Sequence, residues 1–301
     1  MESHRILVTG SSGFLGRYVV DELAHAGHEV TGFDLVEPRF PIASFLKGDF
    51  TKRTELEPAL RGMSAVCHLG GVGDVYLAEK DPNLAIRANV FGTMVVCDAS
   101  VDFGIEKLVY ASTWEVYGKP VRTPVDEKHP CNPAAAYSIS KLAGELFVRR
   151  TDGKNGLETV SLRLGTAYGH HMRESAVISR FIRLGIEQRP LTIFGDGRQF
   201  RQFTHAEDIG RGFVTAVSKP TTDQVYNILS DEAITLLDLA RLIANQYGST
   251  IVFENARPSE PPAVHISVEK AKRELGWRTR VGFKDGLRGI IEAYESVREN
   301  K

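Results

Sequence analysis

Short apolar runs alternate with longer stretches whose apolar residues recur every three or four positions through the first half of the chain. The runs predict strands at 5–9, 28–33, 44–48, 64–69, 107–112 and 158–164; the periodic stretches predict helices over 14–26, 52–61, 83–103 and 135–151. This alternation, with strands apolar on both faces, predicts an α/β fold: a doubly wound parallel sheet with helices on either side. Right-handed crossovers then put ligands outside the C-terminal strand ends. Those ends carry Gly10, Asp34, Asp49, Leu69, Gly70, Gly71, Ser112, Thr113, Gly165 and Thr166.

The rhythm changes after residue 165. Loops lengthen and become richer in Gly, Pro and Arg, and helical periodicity returns at 174–187, 206–218, 235–247, 268–275 and 283–299. This predicts a larger domain over 1–165, rejoined by 206–230, interleaved with a smaller α/β substrate domain over 166–205 and 231–301.

The first strand runs into Thr9-Gly10-Ser11-Ser12-Gly13-Phe14-Leu15-Gly16, three glycines spaced by three at the start of a helix. Gly10 permits the sharp turn, Gly13 lets the backbone approach a pyrophosphate, and Gly16 lets helix and strand pack closely. The phosphates would sit on the free N–H groups of the helix start, beside Phe14 and Leu15. The second strand ends in Asp34, where an acid can hold a ribose hydroxyl. Tyr137 and Lys141, four apart, share a helix face. The ammonium predicts a lowered phenol pKa and a base able to take a proton from a sugar hydroxyl. Tyr76 and Lys80 repeat the spacing, but Pro82 predicts against a helix through them, so they are assigned to the surface.

Composition narrows the picture. Net charge is −1 and charged residues are 25 %, which predicts neither a nucleic-acid nor a membrane surface. Cys67, Cys97 and Cys131 lie far apart without a C-x-x-C pair, as expected of reduced cytoplasmic thiols, and no metal site is predicted. The pair His170-His171 reads as a polar loop.

With these residues in place, the chain resembles an extended short-chain dehydrogenase/reductase of the nucleotide-sugar epimerase and dehydratase branch. The resemblance is carried by the glycine loop, Gly48-Asp49-Phe50, His68-Leu69-Gly70-Gly71, Asn89-Val90-Phe91-Gly92-Thr93, the stretch Ser112-Thr113-Trp114-Glu115, Tyr137-x-x-x-Lys141, Phe194-Gly195-Asp196-Gly197, Arg201-Gln202-Phe203 and Arg257-Pro258. It implies that the cofactor is NAD, with Asp34 on the adenosine ribose, Asp49 and Phe50 at the adenine, Leu69 to Gly71 along the cofactor and Asn89 supporting the central strands. It implies a catalytic set of Thr113, Tyr137 and Lys141, with Ser112 beside it. Phe194 would lie on the nucleotide base, Thr166 would meet the substrate, and Arg201 and Arg257 would clamp the diphosphate. The plainer alternatives are a surface salt bridge from Arg201 to Asp196 or Glu207 and a solvated loop around Arg257.

Three positions depart from the family pattern: Trp114 stands where dehydratases carry an Asp acid, Thr166 where an Asn is common, and Ser267 where an Asp is frequent. Glu115 remains, either as a catalytic group or as a structural hydrogen bond at the strand end. The expected activity is NAD-dependent 4-epimerisation of a nucleotide-diphosphate sugar through a 4-keto intermediate. The alternatives are a dehydratase or decarboxylase using Glu115, and a non-catalytic NAD sensor. A homodimer is also expected, its helices near 83–103 and 135–151 pairing through Met94, Val95, Val96, Leu142, Phe147 and Val148, unless these face the sheet.

Overall fold

The computed structural model describes residues 3–256 and 264–299; Arg257 lies outside the described residues. The six expected strands form as β1 (Arg5–Thr9), β2 (Glu29–Asp34), β3 (Ser44–Lys47), β4 (Ala65–His68), β5 (Lys107–Thr113) and β6 (Glu158–Leu164). Four small strands follow: β7 (Thr166–Tyr168), β8 (Leu191–Phe194), β9 (Phe200–Arg201) and β10 (Phe203–His205). They are succeeded by β11 (Val225–Ile228), β12 (Ile234–Thr235) and β13 (Ile251–Glu254). Strands β3-β2-β1-β4-β5-β6-β11, in that order, make one seven-stranded parallel sheet. The chain leaves β1 for β2 on one side and returns to β4 on the other, which opens a crevice at the C-terminal end of β1.

The helices are α1 (Phe14–His25), α2 (Arg53–Leu60), α3 (Val75–Lys80), α4 (Pro82–Ala85), α5 (Thr93–Asp102) and α6 (Ala136–Thr151). Later come α7 (Val177–Ile186), α8 (Ala206–Ser218), α9 (Leu236–Tyr247) and α10 (Phe283–Glu299). Alternate residues of a strand serve opposite layers. Ile6 and Val8 pack with Val19 and Leu23 of α1 and with Ile209 and Phe213 of α8. Leu7 between them packs with Leu56 of α2, Val96 of α5 and Val148 of α6. A separate cluster joins α7, α9 and α10 to β8 through Phe181, Ile182, Ile193, Ile243 and Ile290.

Two features differ from expectation. The seventh strand, β11, is a four-residue run interrupted by Asn227, whose buried amide oxygen accepts from Tyr117 Oη at 2.7 Å. A partner supplied by another element hides this strand from periodicity. Helix α3 does run through Tyr76 and Lys80, because Asp74 caps it by accepting from the Tyr76 and Leu77 N–H groups. Pro82 acts only afterwards, at the first turn of α4. The continuous helix Pro82–Asp102 is apolar enough over 18 residues to match a membrane span by length and composition. Its Val96, Cys97 and Ala99 are instead spent on the layer between sheet and helices.

Candidate active site

The tight turn after β1 builds the floor of a cavity of about 670 Å³, within the range of small-molecule sites. Gly10 takes φ +73°, and a Cβ on Gly16 would lie 2.0 Å from the Gly10 carbonyl oxygen. The turn therefore presses directly on the first turn of α1, whose cap Gly13 brings no capping side chain. Gly10, Gly13, Phe14, Leu15 and Gly16 all line the cavity, so the positive end of α1 opens onto it. Asp34 sits beside this loop at the end of β2. Its carboxylate accepts from Ser12 N at 3.0 Å and Val36 N at 3.2 Å.

Leu69 and Gly71 line the same cavity, while Gly70 faces inward, where a Cβ would meet the Phe50 ring at 2.6 Å. Phe50 is buried, edge-on to His68 at 5.2 Å, so it buttresses the loop from beneath and does not line the cavity. Asp49 turns back to accept from the Thr51 N–H and hydroxyl. Asn89 lies in a π-helical stretch, Ile86–Gly92, a distortion common at functional sites. Its amide accepts from Val72 N and donates to Val72 O and Ser140 Oγ. Asn89 thus ties the loop after β4 to α6.

The opposite wall is built by the end of β5 and the start of α6. Ser112, Thr113, Glu115, Tyr137 and Lys141 all line it. Thr113 caps the short 3₁₀ turn Trp114–Tyr117 by accepting from Glu115 N. The phenol of Tyr137 is held above its ordinary pKa, contrary to the lowering that the Tyr–Lys spacing predicts. Burial of its hydroxyl dominates, Glu115 adds to the rise, and the Thr113 hydroxyl and Arg173 oppose it. The Lys141 ammonium lies over the Tyr110 ring, 4.2 Å from its centroid. Burial brings its pKa down to about 7. The Glu115 carboxyl faces the cavity with its pKa raised by burial, against the pull of Arg201 and Arg173.

Trp114 is 8 % exposed and sinks into a satellite core with Tyr117, Leu229, Val264 and Ile266, leaving an edge at the cavity. Thr166, Phe194 and Arg201 complete the far side. Asp196 pairs with Arg198, and Glu207 with Arg211. Two arginines that motif reading does not single out also reach the cavity. Arg173 bridges its mouth, 3.1 Å from Asp74; the Arg180 guanidinium lies 5.5 Å from the centroid of Phe194. Arg180 belongs to a stretch legible as helical and Arg173 precedes it, but only packing shows that both meet the cavity. Tyr76, 66 % exposed, forms part of the rim. No cluster of metal-ligating side chains occurs among the described residues.

Comparison with known proteins matches residues 6–228 to the model of the NAD dependent epimerase/dehydratase family. A putative UDP-glucose 4-epimerase of Methanocaldococcus jannaschii is 28 % identical, over 95 % of this chain and 97 % of its own. A dTDP-glucose 4,6-dehydratase of an Actinoplanes species is 27 % identical, over 98 % of each. The solved structure of UDP-glucuronic acid 4-epimerase from Bacillus cereus, in complex with UDP-glucuronic acid and NAD, superimposes with a TM-score of 0.87 at 28 % identity. It covers 97 % of this chain and 99 % of that one.

Proposed function

The chain belongs to the NAD dependent epimerase/dehydratase family, and on that premise we propose that it is a 4-epimerase of a nucleotide-diphosphate sugar, working through a transient 4-keto sugar. Its cofactor is NAD. The cavity fits that group: the glycine turn packs so tightly on α1 that only a Cβ-less chain leaves the helix start open, and Asp34 stands beside it. When bound, NAD supplies a hydride acceptor that can return its hydride, which inversion at a carbinol carbon requires.

The observation that carries the reading is one cavity wall that joins Thr113, Tyr137 and Lys141, while the position beside Thr113 is an indole buried in a core. Tyr137 would take the proton of the sugar hydroxyl and give it back, and Thr113 would orient that oxygen. A raised phenol pKa keeps Tyr137 protonated in the free protein, so added positive charge has to favour phenolate during turnover. Arg201 would hold the diphosphate, so that binding energy falls on the part that does not react. Phe194, with Arg180 over its ring, would take the base.

A second reading, loss of water or carbon dioxide, is favoured by Glu115, whose raised pKa in the cavity suits an acid or base. Incubation with UDP-, GDP- and dTDP-linked sugars decides between them. Epimerisation gives a product of unchanged mass with C4 inverted and no net NADH. A product lighter by one water or one carbon dioxide transfers the chemistry to Glu115, and the absence of any product would leave an NAD-binding protein without this reaction.

The working unit we propose is a homodimer. Val96 and Val148 are buried against the sheet, so they do not form the pairing face. Exposed apolar residues of the same two helical segments include Ile86 (53 %), Phe91 (52 %), Ile139 (50 %) and Leu146 (52 %), and these would meet a second copy.

A further inference from the structure

Tyr137, Lys141 and Glu145 follow one another at four-residue intervals along α6, which places them in one stripe. The first two line the cavity. Glu145 is fully buried behind them, and the chemistry described so far gives it no task.

Its carboxylate is clamped by two strands. Ser112 Oγ of β5 donates to Oε2 at 2.6 Å. Arg163 of β6 donates from Nε to Oε2 at 3.1 Å and from Nη2 to Oε1 at 2.6 Å. The Arg163 guanidinium in turn lies 4.7 Å from the centroid of Tyr117. Ser112 immediately precedes Thr113, so one carboxylate fixes α6 relative to the strand end that carries the other catalytic hydroxyl.

The groups facing Lys141 come from several elements. From β5, Tyr110 offers a ring face, and burial holds its phenol protonated. From β4, His68 is kept neutral, its pKa pushed down to about 3, chiefly by burial and then by Lys141 itself. From α6, Tyr137 also stays protonated. Across the cavity, Glu115 is balanced by Arg201 and Arg173. Burial lowers the Lys141 pKa, and Glu145 is the group that raises it again. Glu145, fully buried, pairs directly with Arg163 and stands one helical turn beyond Lys141.

We propose that Glu145 is a positioning residue of the active site: clamped to β5 and β6 one helical turn beyond Lys141, it places a buried carboxylate behind Lys141 and sets the surroundings in which that ammonium works at the cavity wall. This rests on Lys141 acting with Tyr137. A purely structural ion pair would hold α6 on the sheet and leave the titration of Lys141 where it is.

Glu145→Gln alone strands a buried guanidinium and endangers folding. It is therefore tested beside Glu145→Gln/Arg163→Met, which removes both charges, and Ser112→Ala, which loosens the clamp but keeps the carboxylate. Each protein, loaded with NAD and labelled with [ε-¹³C]lysine, is titrated by NMR, with Lys141 assigned from Lys141→Arg. The wild-type midpoint should move down by about 1–3 pH units in the folded double variant, as loss of an adjacent opposite charge requires. It should stay close to wild type in Ser112→Ala. An unmoved midpoint in the double variant, or an equal shift in Ser112→Ala, overturns the proposal. Failure of the wild-type protein to convert any nucleotide sugar would instead refute the epimerase reading, and the titration would still decide the role of Glu145.

Discussion

Gly16→Ala puts the contact between the glycine turn and α1 under direct test. The added carbon would lie 2.0 Å from the Gly10 carbonyl oxygen and 2.8 Å from two backbone atoms of Ser11, where real Cβ contacts do not fall below about 3.0 Å. Turn and helix must part by about 1 Å, and both are backbone, so no side chain can swing aside. Overpacking of this kind costs roughly 1–3 kcal/mol, which for a chain of this size lowers Tm by roughly 2–10 °C. The same displacement moves the phosphate-facing N–H groups, and an error of about 1 Å costs about 100-fold in a positioned interaction. A 100-fold weaker Kd removes about 2.7 kcal/mol of the stabilisation that saturating NAD confers. The assay is a melting curve with and without NAD, together with a calorimetric NAD titration. Gly13→Ala is the control: its Cβ would lie 3.2 Å from the same oxygen, a strain of a few tenths of an ångström. It should melt close to wild type without NAD while still binding NAD more weakly. Wild-type melting and Kd in Gly16→Ala, or a greater loss of ligand-free stability in Gly13→Ala, would refute the reasoning.

Tyr137→Phe should retain NAD binding and lose turnover by about 10²–10⁴-fold; undiminished product formation would exclude the phenol as the acid/base. Arg201→Ala should weaken nucleotide-sugar binding by roughly 10–100-fold, the worth of a charged hydrogen bond, without changing the Kd for NAD. His68, with its pKa near 3 when folded, stays neutral while the unfolded chain takes up its proton first. Its contribution is complete above the ordinary histidine pKa of 6.5 and is lost as pH falls toward 3. His68→Gln should flatten the fall of Tm between pH 6 and pH 4, and an unchanged slope would remove His68 as the cause. Phe91→Glu with Leu146→Glu should leave a folded monomer by light scattering; a dimer of undiminished stability would place the interface elsewhere.

What was legible in the sequence is what local chemistry determines. The strand-turn-helix at Gly10 to Gly16 could be read because each glycine answers a constraint from neighbours within a few residues. The strands β1, β2, β4, β5 and β6 were legible because buried parallel strands are nearly continuous apolar runs, while the exposed edge strand β3 showed only the pair Phe45-Leu46. Strand β11 was not, since buried Asn227 is satisfied by Tyr117, more than a hundred residues away, and by the Ser267 carbonyl. The helix through Tyr76 was hidden by Pro82, whose effect depends on Asp74 and Asp81 capping on either side of the break. Of the six apolar residues expected on a pairing face, Val96 and Val148 are buried and Met94, Val95, Leu142 and Phe147 are half-buried, a division that composition does not reveal. In the site, the Tyr137 and Lys141 spacing was readable, but the sign of the phenol shift was not, because burial dominates it and Glu115 adds to the rise. The clamp on Glu145 was not readable, because its contacts to Ser112 and Arg163 exist only once three elements have met.

The place of β11 in the sheet bears on how the chain is made. Strand β6 lies between β5 and β11, and α1 packs against α8. A nascent chain that has emerged only as far as Leu164 holds β6 as a bare edge and leaves one face of α1 open to water. Both are sites for unwanted pairing until residues 206–228 arrive. The intervening β7–β10 segment must therefore be threaded out before the sheet is complete. A ribosome stalled before Ile228 should present a chain that chaperones bind and proteases cut, and one stalled well beyond it a chain that resists both.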